Sequence, residues 1–194
     1  MAKNYRAELV GVFGDPVDDN PTGVMEEAGF RAKGLNYRYI TAKVQPEALG
    51  AAIAGARAIH MKGFNLTMPH KVRVIPFLDG MSEAARIIGA VNTVYEENGL
   101  YIGENTDGKG FVEAMQMQGA PIEGKRIVLL GAGGAGKAIG VECALAGAKH
   151  ITVINRNRLR GGVPALGGHG EDPRVRHTHQ RHLRGPRAQR ERKA

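Results

Sequence analysis

Short apolar stretches alternate with amphipathic ones through the first part of the chain. Residues 7–13, 37–44 and 63–67 have the length and the apolar, β-branched composition of strands. Helices are predicted to open near Asn20 and near Gln45, each a polar capping residue followed by a proline. Strands that alternate with helices across short connections predict an α/β fold with a mainly parallel sheet.

A β-hairpin and a further helix are predicted next. Residues 91–95 and 100–103 flank the dipeptide Asn98-Gly99, whose residues tolerate the positive φ angles of a type I′ turn. A helix is predicted from about residue 106 to residue 118. Three apolar residues at helical spacing form its inner face: Phe111, Val112 and Met115.

A second unit begins after a break in the pattern at Gly119. An apolar strand over 126–130, which we expect to be buried, leads through a glycine turn and a small-residue helix to a strand over 151–154. This is one βαβ unit, whereas a doubly wound nucleotide-binding domain contains two βαβαβ halves. The sequence therefore predicts one domain over residues 1–105 and an incomplete Rossmann domain over residues 106–157.

Positive charge is concentrated at the end of the chain. Residues 1–157 hold 17 Lys and Arg against 16 Asp and Glu, whereas residues 158–194 hold 10 against 3. Because residues 158–194 contain no aromatic residue and no apolar periodicity, a disordered basic tail is predicted there. A tail without interleaved aromatics is not expected to bind nucleic acid. Its four histidines match no zinc-site spacing, so no metal is expected either.

The cysteine content and the hydropathy bear on the compartment. Cys143 is the single cysteine, so no internal disulfide can form. The chain shows no leader peptide and no apolar run near the roughly 18 residues that span a bilayer. We therefore expect a cytoplasmic protein without a membrane partner.

The sequence GAGGAG lies between the predicted strand and helix of the second unit. Its glycines occupy the first, third and sixth positions of the dinucleotide-binding motif. Gly131 would allow a tight turn, Gly133 the close approach of the backbone to a pyrophosphate, and Gly136 the packing of the helix on the strand. The alternative is a turn of small residues that only packs tightly.

The residues after the second strand of this unit favour NADP over NAD. An NAD-binding domain would place an acidic residue there for the ribose 2′-hydroxyl, but this chain has Asn155 and Arg156. A guanidinium suits a 2′-phosphate, which it can hold through two hydrogen bonds. The alternative is that Arg156 and Arg158 simply begin the basic tail.

Two clusters carry candidate acid-base chemistry. In NLTMPHK, a strand end runs through a proline into a short helix, which places Thr67 and Lys71 where α/β sheets bind ligands. In ENTDG, Asp107 lies just inside a predicted helix start, with Asn105 or Thr106 as the cap. Each cluster alone is more often a solvated surface lysine or an aspartate that stabilises a helix start than a catalytic group.

Six motifs in this order resemble the shikimate dehydrogenase family: GDPV, NLTMPHK, GAVNT, NTDG, GAGGAG and NRN. The resemblance covers about residues 6–157. It implies a substrate domain and a Rossmann domain that face each other across a cleft, in a monomer or a homodimer. The implied reaction is the NADPH-dependent reduction of 3-dehydroshikimate to shikimate in chorismate and aromatic amino acid biosynthesis. A quinate or shikimate dehydrogenase that uses NAD, or a related cyclic hydroxy acid as substrate, stays open.

The resemblance also implies roles for individual residues. Lys71 and Asp107 would be the catalytic pair that moves the proton accompanying hydride transfer. Thr67 and Asn92 would bind hydroxyl groups of the substrate. The pyrophosphate of the cofactor would be held by Gly131, Ala132, Gly133, Gly134 and Ala135. The adenosine ribose and its phosphate would be held by Asn155 and Arg156.

The first departure from the family concerns the carboxylate of the substrate. The family usually has H-S-x-S-P after its first strand, with both serine hydroxyls on that carboxylate, whereas this chain has DNPTG over residues 19–23. Asn20 and Thr22 still offer donors and are the predicted replacements. Asp18 and Asp19 add negative charge beside the presumed anion site, which opposes anion binding.

The second departure is the end of the sequence. Beyond NRN the family normally continues with further strands, a wall beside the nicotinamide and a closing helix. The Arg, Gly, Pro and His bias of residues 158–194 is what an out-of-frame reading of a GC-rich gene would produce. We therefore expect a frameshifted or truncated family member, and a product without catalytic activity is the alternative to an active dehydrogenase.

Overall fold

A six-stranded mixed sheet forms the first part of the molecule; the computed structural model describes residues 6–155 and 175–179. The strands are β1 (Glu8–Gly14), β2 (Tyr37–Lys43), β3 (Gly63–Leu66), β4 (Gly80–Met81), β5 (Thr93–Glu97) and β6 (Leu100–Glu104). Their spatial order is β2-β1-β3-β5-β6-β4. β1 is parallel to β2 and β3, and β4 is parallel to β6, whereas β5 is antiparallel to β3 and β6. The carboxyl ends of β3 and β6 therefore meet the start of β5 at one edge of the sheet.

Helices and short 3-10 turns connect these strands. The α-helices of this part are α1 (Thr22–Ala32), α2 (Leu49–Ala58), α3 (His70–Arg73), α4 (Glu83–Ile88) and α5 (Thr106–Met117). Two 3-10 turns, Pro46–Ala48 and Ile75–Phe77, precede α2 and follow α3. The core contains the stacked rings of Phe13 and Phe64, whose centroids are 4.8 Å apart, with Tyr101 set edge-on to Phe64.

A smaller parallel sheet follows. It contains β7 (Arg126–Leu130), β8 (His150–Asn155) and β9 (Val175–His179) in that order, and α6 (Gly134–Leu145) connects β7 to β8. α5 and α6 cover one face of this sheet. The predicted inner face of α5 is confirmed, since its three apolar residues pack against a buried cluster that includes Cys143 and Ile151.

The two sheets are joined through α4 and α6. Ala84 and Ile88 of α4 are buried against Ala138 and Val141 of α6. The Lys137 ammonium donates a hydrogen bond of 3.0 Å to the backbone oxygen of Ile88. The helix that follows the glycine turn thus rests directly on the larger unit.

The structure confirms the α/β class and most predicted elements. The predicted type I′ turn is confirmed, because Asn98 and Gly99 have φ angles of 53° and 81° between antiparallel strands. This hairpin is also why the sheet is mixed. α1 begins at Thr22 with Pro21 as its N-cap, one residue later than predicted, and no side chain caps it; the Asn20 Oδ1 accepts the Thr22 backbone N–H at 3.0 Å.

Two expectations differ from the structure. β7 is not a buried strand: Val128 and Leu130 are 60% and 83% exposed, because the described helices cover only the opposite face of its sheet. Residues 175–179, within the predicted disordered tail, form β9, because the edge of β8 offers backbone groups that a strand can pair with. Arg156 and the remaining residues of 158–194 lie outside the described residues.

Two features are absent from the described residues: a membrane-spanning helix and a metal-binding cluster. No helix within residues 6–155 is long and apolar enough to cross a membrane. The part of the chain that the structure describes contains no group of three or more His, Cys, Asp or Glu placed to hold a metal ion.

Candidate active site

An ion pair stands at the edge where β3, β5 and β6 meet. Lys71 lies in α3, just after β3, and Asp107 lies in the first turn of α5, just after β6. The Lys71 Nζ is 2.8 Å from the Asp107 Oδ2, although the residues are 36 positions apart. Their side chains are 36% and 37% exposed, so both are held by the protein and still accessible to a small ligand.

Asp107 is fixed at both its side chain and its backbone. Asn92, at the start of β5, donates 2.7 Å from Nδ2 to the Asp107 Oδ1. The Asp107 backbone N–H donates 3.2 Å to Oδ1 of Asn105, the buried N-cap of α5. Asn105 in turn donates 3.1 Å to the backbone oxygen of Ala90. Each carboxylate oxygen of Asp107 therefore has one defined donor in the protein.

Lys71 is fixed through its backbone and its neighbour. The Val91 N–H donates 2.7 Å to the Lys71 backbone oxygen. His70 is fully buried, and its Nε2 lies 2.7 Å from the backbone oxygen of Val44. Since a carbonyl oxygen only accepts, Nε2 carries the proton in this contact. α3 is thereby tied to the connection after β2 on one side and to the start of β5 on the other.

Further polar side chains extend this site toward β2. Thr93 donates 3.1 Å to Oδ1 of Asn92 and lies 3.2 Å from Nδ2 of Asn65. The Tyr39 hydroxyl donates 2.8 Å to Oδ1 of Asn65. Burial, with Glu26 nearby, raises the pKa of Tyr39, so its hydroxyl keeps the proton that it donates.

Sequence reasoning missed four members of this network: Tyr39, Asn65, Thr93 and Thr106. Asn92 contacts Thr106 three times: its Nδ2 lies 3.0 Å from Oγ1, and its Oδ1 accepts the backbone N–H at 2.9 Å and lies 3.3 Å from the hydroxyl oxygen. Two signals could have found them. Asn65 is two residues before Thr67 on a strand and so shares its face, and Thr106 directly precedes Asp107.

The other predicted substrate-binding residues lie along the same edge. Thr67 is half-buried after the end of β3 and packs its methyl group beside Gly14. Asn20 has turned its amide oxygen to the Thr22 backbone, which leaves its amide nitrogen as the group to present to a ligand. Gly23 lies against the ring of Tyr39, so the start of α1 borders the polar network.

The glycine turn has the geometry that a pyrophosphate requires. Gly131 has a φ of 104°, which favours glycine, and a Cβ on Gly136 would come within 2.5 Å of the Gly131 backbone oxygen. Space beside Gly133 and Gly134 is open, with no atom within 4 Å of a Cβ built there. The N-cap of α6 is Gly133, which brings no capping side chain, so the N–H groups of the first turn face outward. The turn, which also contains Ala132 and Ala135, therefore fits an anionic cofactor group.

Asn155 ends β8, and Ile154 beside it accepts the Gly131 N–H at 2.8 Å. This places Asn155 next to the glycine turn, and its binding of the adenosine ribose stays a prediction. Arg156, predicted for the 2′-phosphate, lies outside the described residues.

A family model decides the relationship. The model of the shikimate dehydrogenase substrate binding domain matches residues 12–94, which include Lys71 and Asn92. The chain therefore contains the substrate binding domain of the shikimate dehydrogenase family. The relatives below match over more residues than this range contains, so the similarity extends beyond residues 12–94.

Relatives of known name extend the match beyond the first domain. The shikimate dehydrogenase (NADP(+)) of Desulforamulus reducens is 45% identical over 157 residues, which are 80% of this chain and 54% of that protein. The chain thus spans about half the length of the curated relatives it matches.

Two solved structures share the fold at similar coverage. The ligand-free 5-ketofructose reductase of Gluconobacter sp. strain CHM43 is 51% identical, with a TM-score of 0.77 over 79% of this chain and 55% of that chain. The shikimate 5-dehydrogenase of Listeria monocytogenes, in complex with shikimate and NAD, is 35% identical, with a TM-score of 0.77 over 81% and 55%.

Proposed function

We propose that this chain acts as an NADP-dependent dehydrogenase that reduces 3-dehydroshikimate to shikimate in aromatic amino acid biosynthesis. The observation that carries the proposal is the contact between Lys71 and Asp107, with Asn92 on the second carboxylate oxygen. An ammonium paired with a carboxylate at an accessible edge is the arrangement that proton transfer to a ketone oxygen needs. The names of the relatives support NADP as the cofactor.

The residues at the edge have distinct roles in this proposal. In the reducing direction the Lys71 ammonium donates a proton to the substrate oxygen, and in the reverse direction the neutral Lys71 amine accepts that proton, while Asp107 holds the Lys71 side chain in position. Asn92 keeps the Asp107 carboxylate turned toward Lys71. Thr67 and Asn92 would bind hydroxyl groups of the substrate ring, as the family resemblance implies.

The cofactor would supply the hydride, which no side chain of the chain can supply. The glycine turn from Gly131 to Ala135 would hold its pyrophosphate through backbone N–H groups. Asn155 would bind the adenosine ribose, and Arg156 would bind the 2′-phosphate, which favours NADP over NAD. NAD stays the alternative.

A second candidate activity is the reduction of a ketone on an uncharged sugar. The relative named 5-ketofructose reductase is 51% identical to this chain. The region that binds the substrate carboxylate in the family has one threonine and one asparagine here, and the Asn20 oxygen is already engaged. Exposed Asp18 and Asp19 beside it oppose an anion and tolerate a neutral polyol.

A substrate panel distinguishes these candidates. NADPH and NADH consumption is measured at 340 nm with 3-dehydroshikimate, 3-dehydroquinate and 5-ketofructose. Calorimetric titration with shikimate, quinate and fructose then measures binding that needs no turnover. Binding of shikimate with NADPH-dependent turnover of its ketone supports the first proposal, whereas preference for the uncharged ketone supports the second. A chain that binds shikimate without turnover supports the alternative of an inactive product.

Two variants assign the activity to the ion pair. Lys71→Met should reduce turnover by about 10²-fold to 10⁴-fold, the usual contribution of a positioned acid or base. The matched control is Lys62→Met, because the Lys62 Nζ makes a similar pair of 2.9 Å with Glu96 in the hairpin, away from the site. Equal losses in both variants would contradict the assignment. The cytoplasmic location and the monomeric or homodimeric state stay predictions.

A further inference from the structure

α5 and α6 meet at a glycine directly after Asp107. Gly108 is the buried residue of α5. A Cβ on Gly108 would overlap the backbone oxygen of Ala138 in α6 and would come within 2.6 Å of the Cγ of Glu142. Since a backbone oxygen inside a helix cannot move aside alone, any side chain at Gly108 must push the two helices apart.

Comparison with Gly110 shows that the close contact is specific to position 108. Gly110 lies two residues later in the same helix, is exposed, and has no atom within 4 Å of a Cβ built on it. Both glycines have helical backbone, so the helix itself requires neither of them. The neighbouring helix α6 is what requires the glycine at 108.

The contact lies between the two halves of the proposed site. Asp107 is the residue before Gly108, and Ala138 lies about one helical turn after the start of α6 at the glycine turn. Ala138 is fully buried and also packs against Ile88 of α4. The distance from the Lys71–Asp107 pair to the glycine turn is therefore set where Gly108 meets Ala138.

We propose that Gly108 is a positioning residue that sets the separation between the ion pair and the glycine turn. The proposal rests on the proposed function, in which the substrate ketone meets Lys71 and the cofactor is held at the turn. Hydride transfer needs reacting atoms about 3–3.5 Å apart, and a misplacement of about 1 Å can cost about 10²-fold in rate. A methyl group at Gly108 lengthens the separation without touching a ligand.

Crystal structures of Gly108→Ala and Gly110→Ala test the geometry without any need for activity. In G108A, α6 and its glycine turn should shift away from Asp107 by about 1 Å, while the Lys71–Asp107 contact is unchanged. G110A should superimpose on the parent structure. A G108A structure that accommodates the methyl group without displacing α6 would overturn the proposal.

Kinetics test the consequence. In G108A, kcat should fall at least tenfold, while the dissociation constants of shikimate and of NADPH, each measured alone, stay within threefold of the parent. A merely structural defect would weaken ligand binding together with kcat, and that result would overturn the proposal, as would equal kcat values in G108A and G110A. If the parent turns over no ketone, the proposed function fails, and the crystallographic comparison still decides the role of Gly108 in spacing.

A second variant covers a failure of G108A to fold. Ile88→Ala removes packing against Ala138 from the α4 side and adds no bulk to α5. If the contact at Gly108 sets the separation, the distance between Asp107 and the glycine turn should be unchanged in I88A. A glycine turn displaced from Asp107 by about 1 Å in I88A would show that packing from α4 sets this distance, and would overturn the proposal.

Discussion

The side-chain amide of Asn92 lies 2.7 Å from Oδ1 of Asp107, which leaves Oδ2 for the ammonium of Lys71 at 2.8 Å. One carboxylate thus receives two different donors on its two oxygens. Its rotation is fixed by the amide, and its charge serves the lysine. Loss of the Asn92 side chain should therefore also change how Asp107 holds Lys71.

Asn92→Ala should weaken catalysis by releasing the Asp107 carboxylate. A hydrogen bond to a charged group contributes about 1.5–3 kcal/mol, which corresponds to about 10-fold to 150-fold in kcat/KM. Asn92→Asp should cost more, because a second carboxylate would face Asp107. Steady-state kinetics on the preferred ketone measure both variants, and a kcat/KM of N92A within threefold of the parent would contradict this role.

The glycine turn predicts a separation of stability from cofactor affinity. Gly136→Ala should lower the free energy of unfolding by about 1–3 kcal/mol, because its Cβ would collide with the Gly131 backbone oxygen. Gly133 has an extended backbone, with a φ of −74° and a ψ of −172°, and open space beside it. Gly133→Ala should therefore leave the free energy of unfolding unchanged. Urea unfolding measures this difference.

In G133A, NADPH binding should weaken about tenfold or more, because the methyl group occupies the space that the pyrophosphate needs. Fluorescence titration with NADPH measures it. Unchanged NADPH affinity in G133A would contradict the assignment of the turn to the cofactor.

Glu142 predicts a pH dependence of stability. Burial raises the pKa of this α6 carboxyl; Lys109 opposes the rise and Glu104 adds to it. Within the described residues its Oε1 has no hydrogen-bond partner. Because the folded state holds the proton more tightly than the unfolded state, stability should fall as pH rises from about 4.5, the ordinary carboxyl value, through the raised pKa.

Glu142→Gln should therefore be more stable than the parent at pH 8 and similar to it near pH 4. Thermal unfolding across this range measures the difference. A difference between E142Q and the parent that does not change with pH would contradict the argument.

The smaller sheet predicts opposite consequences for its two faces. Ile151 is 2% exposed beneath α6, whereas Leu130 is 83% exposed on the uncovered face. Ile151→Ala should cost about 2–5 kcal/mol of unfolding free energy. Leu130→Ala should stay within about 0.5 kcal/mol. Equal losses by urea unfolding would show that the second face is covered in solution.

Local signals in the sequence were sufficient for the elements with strong turn and cap chemistry. Asn98 and Gly99 specified the hairpin because both residues adopt positive φ. Asn105 specified the start of α5 because its side-chain oxygen can accept a backbone N–H there. Such signals act within a few residues and do not depend on the rest of the fold.

Long-range features were not accessible in the same way. The place of Thr93 in the site depends on the register between β3 and β5, which pairs it with Asn65. The exposure of Val128 depends on whether helices cover its face of the sheet. An apolar strand has the same sequence pattern whether that face is covered or exposed. β4 and α4, of two and six residues, are too short for a periodic signal.

One series of hydrogen bonds from β2 to α5 runs in a single direction. Tyr39 donates to Asn65, Asn65 to Thr93, Thr93 to Asn92, and Asn92 to the carboxylate of Asp107. An anion at the end of such a series can only accept, so its charge decides the orientation of both amides and the rotation of both hydroxyls. A ligand hydroxyl that reaches this edge thus meets hydrogen-bond donors and acceptors whose orientation is already set, and the hydroxyl must adapt to that order.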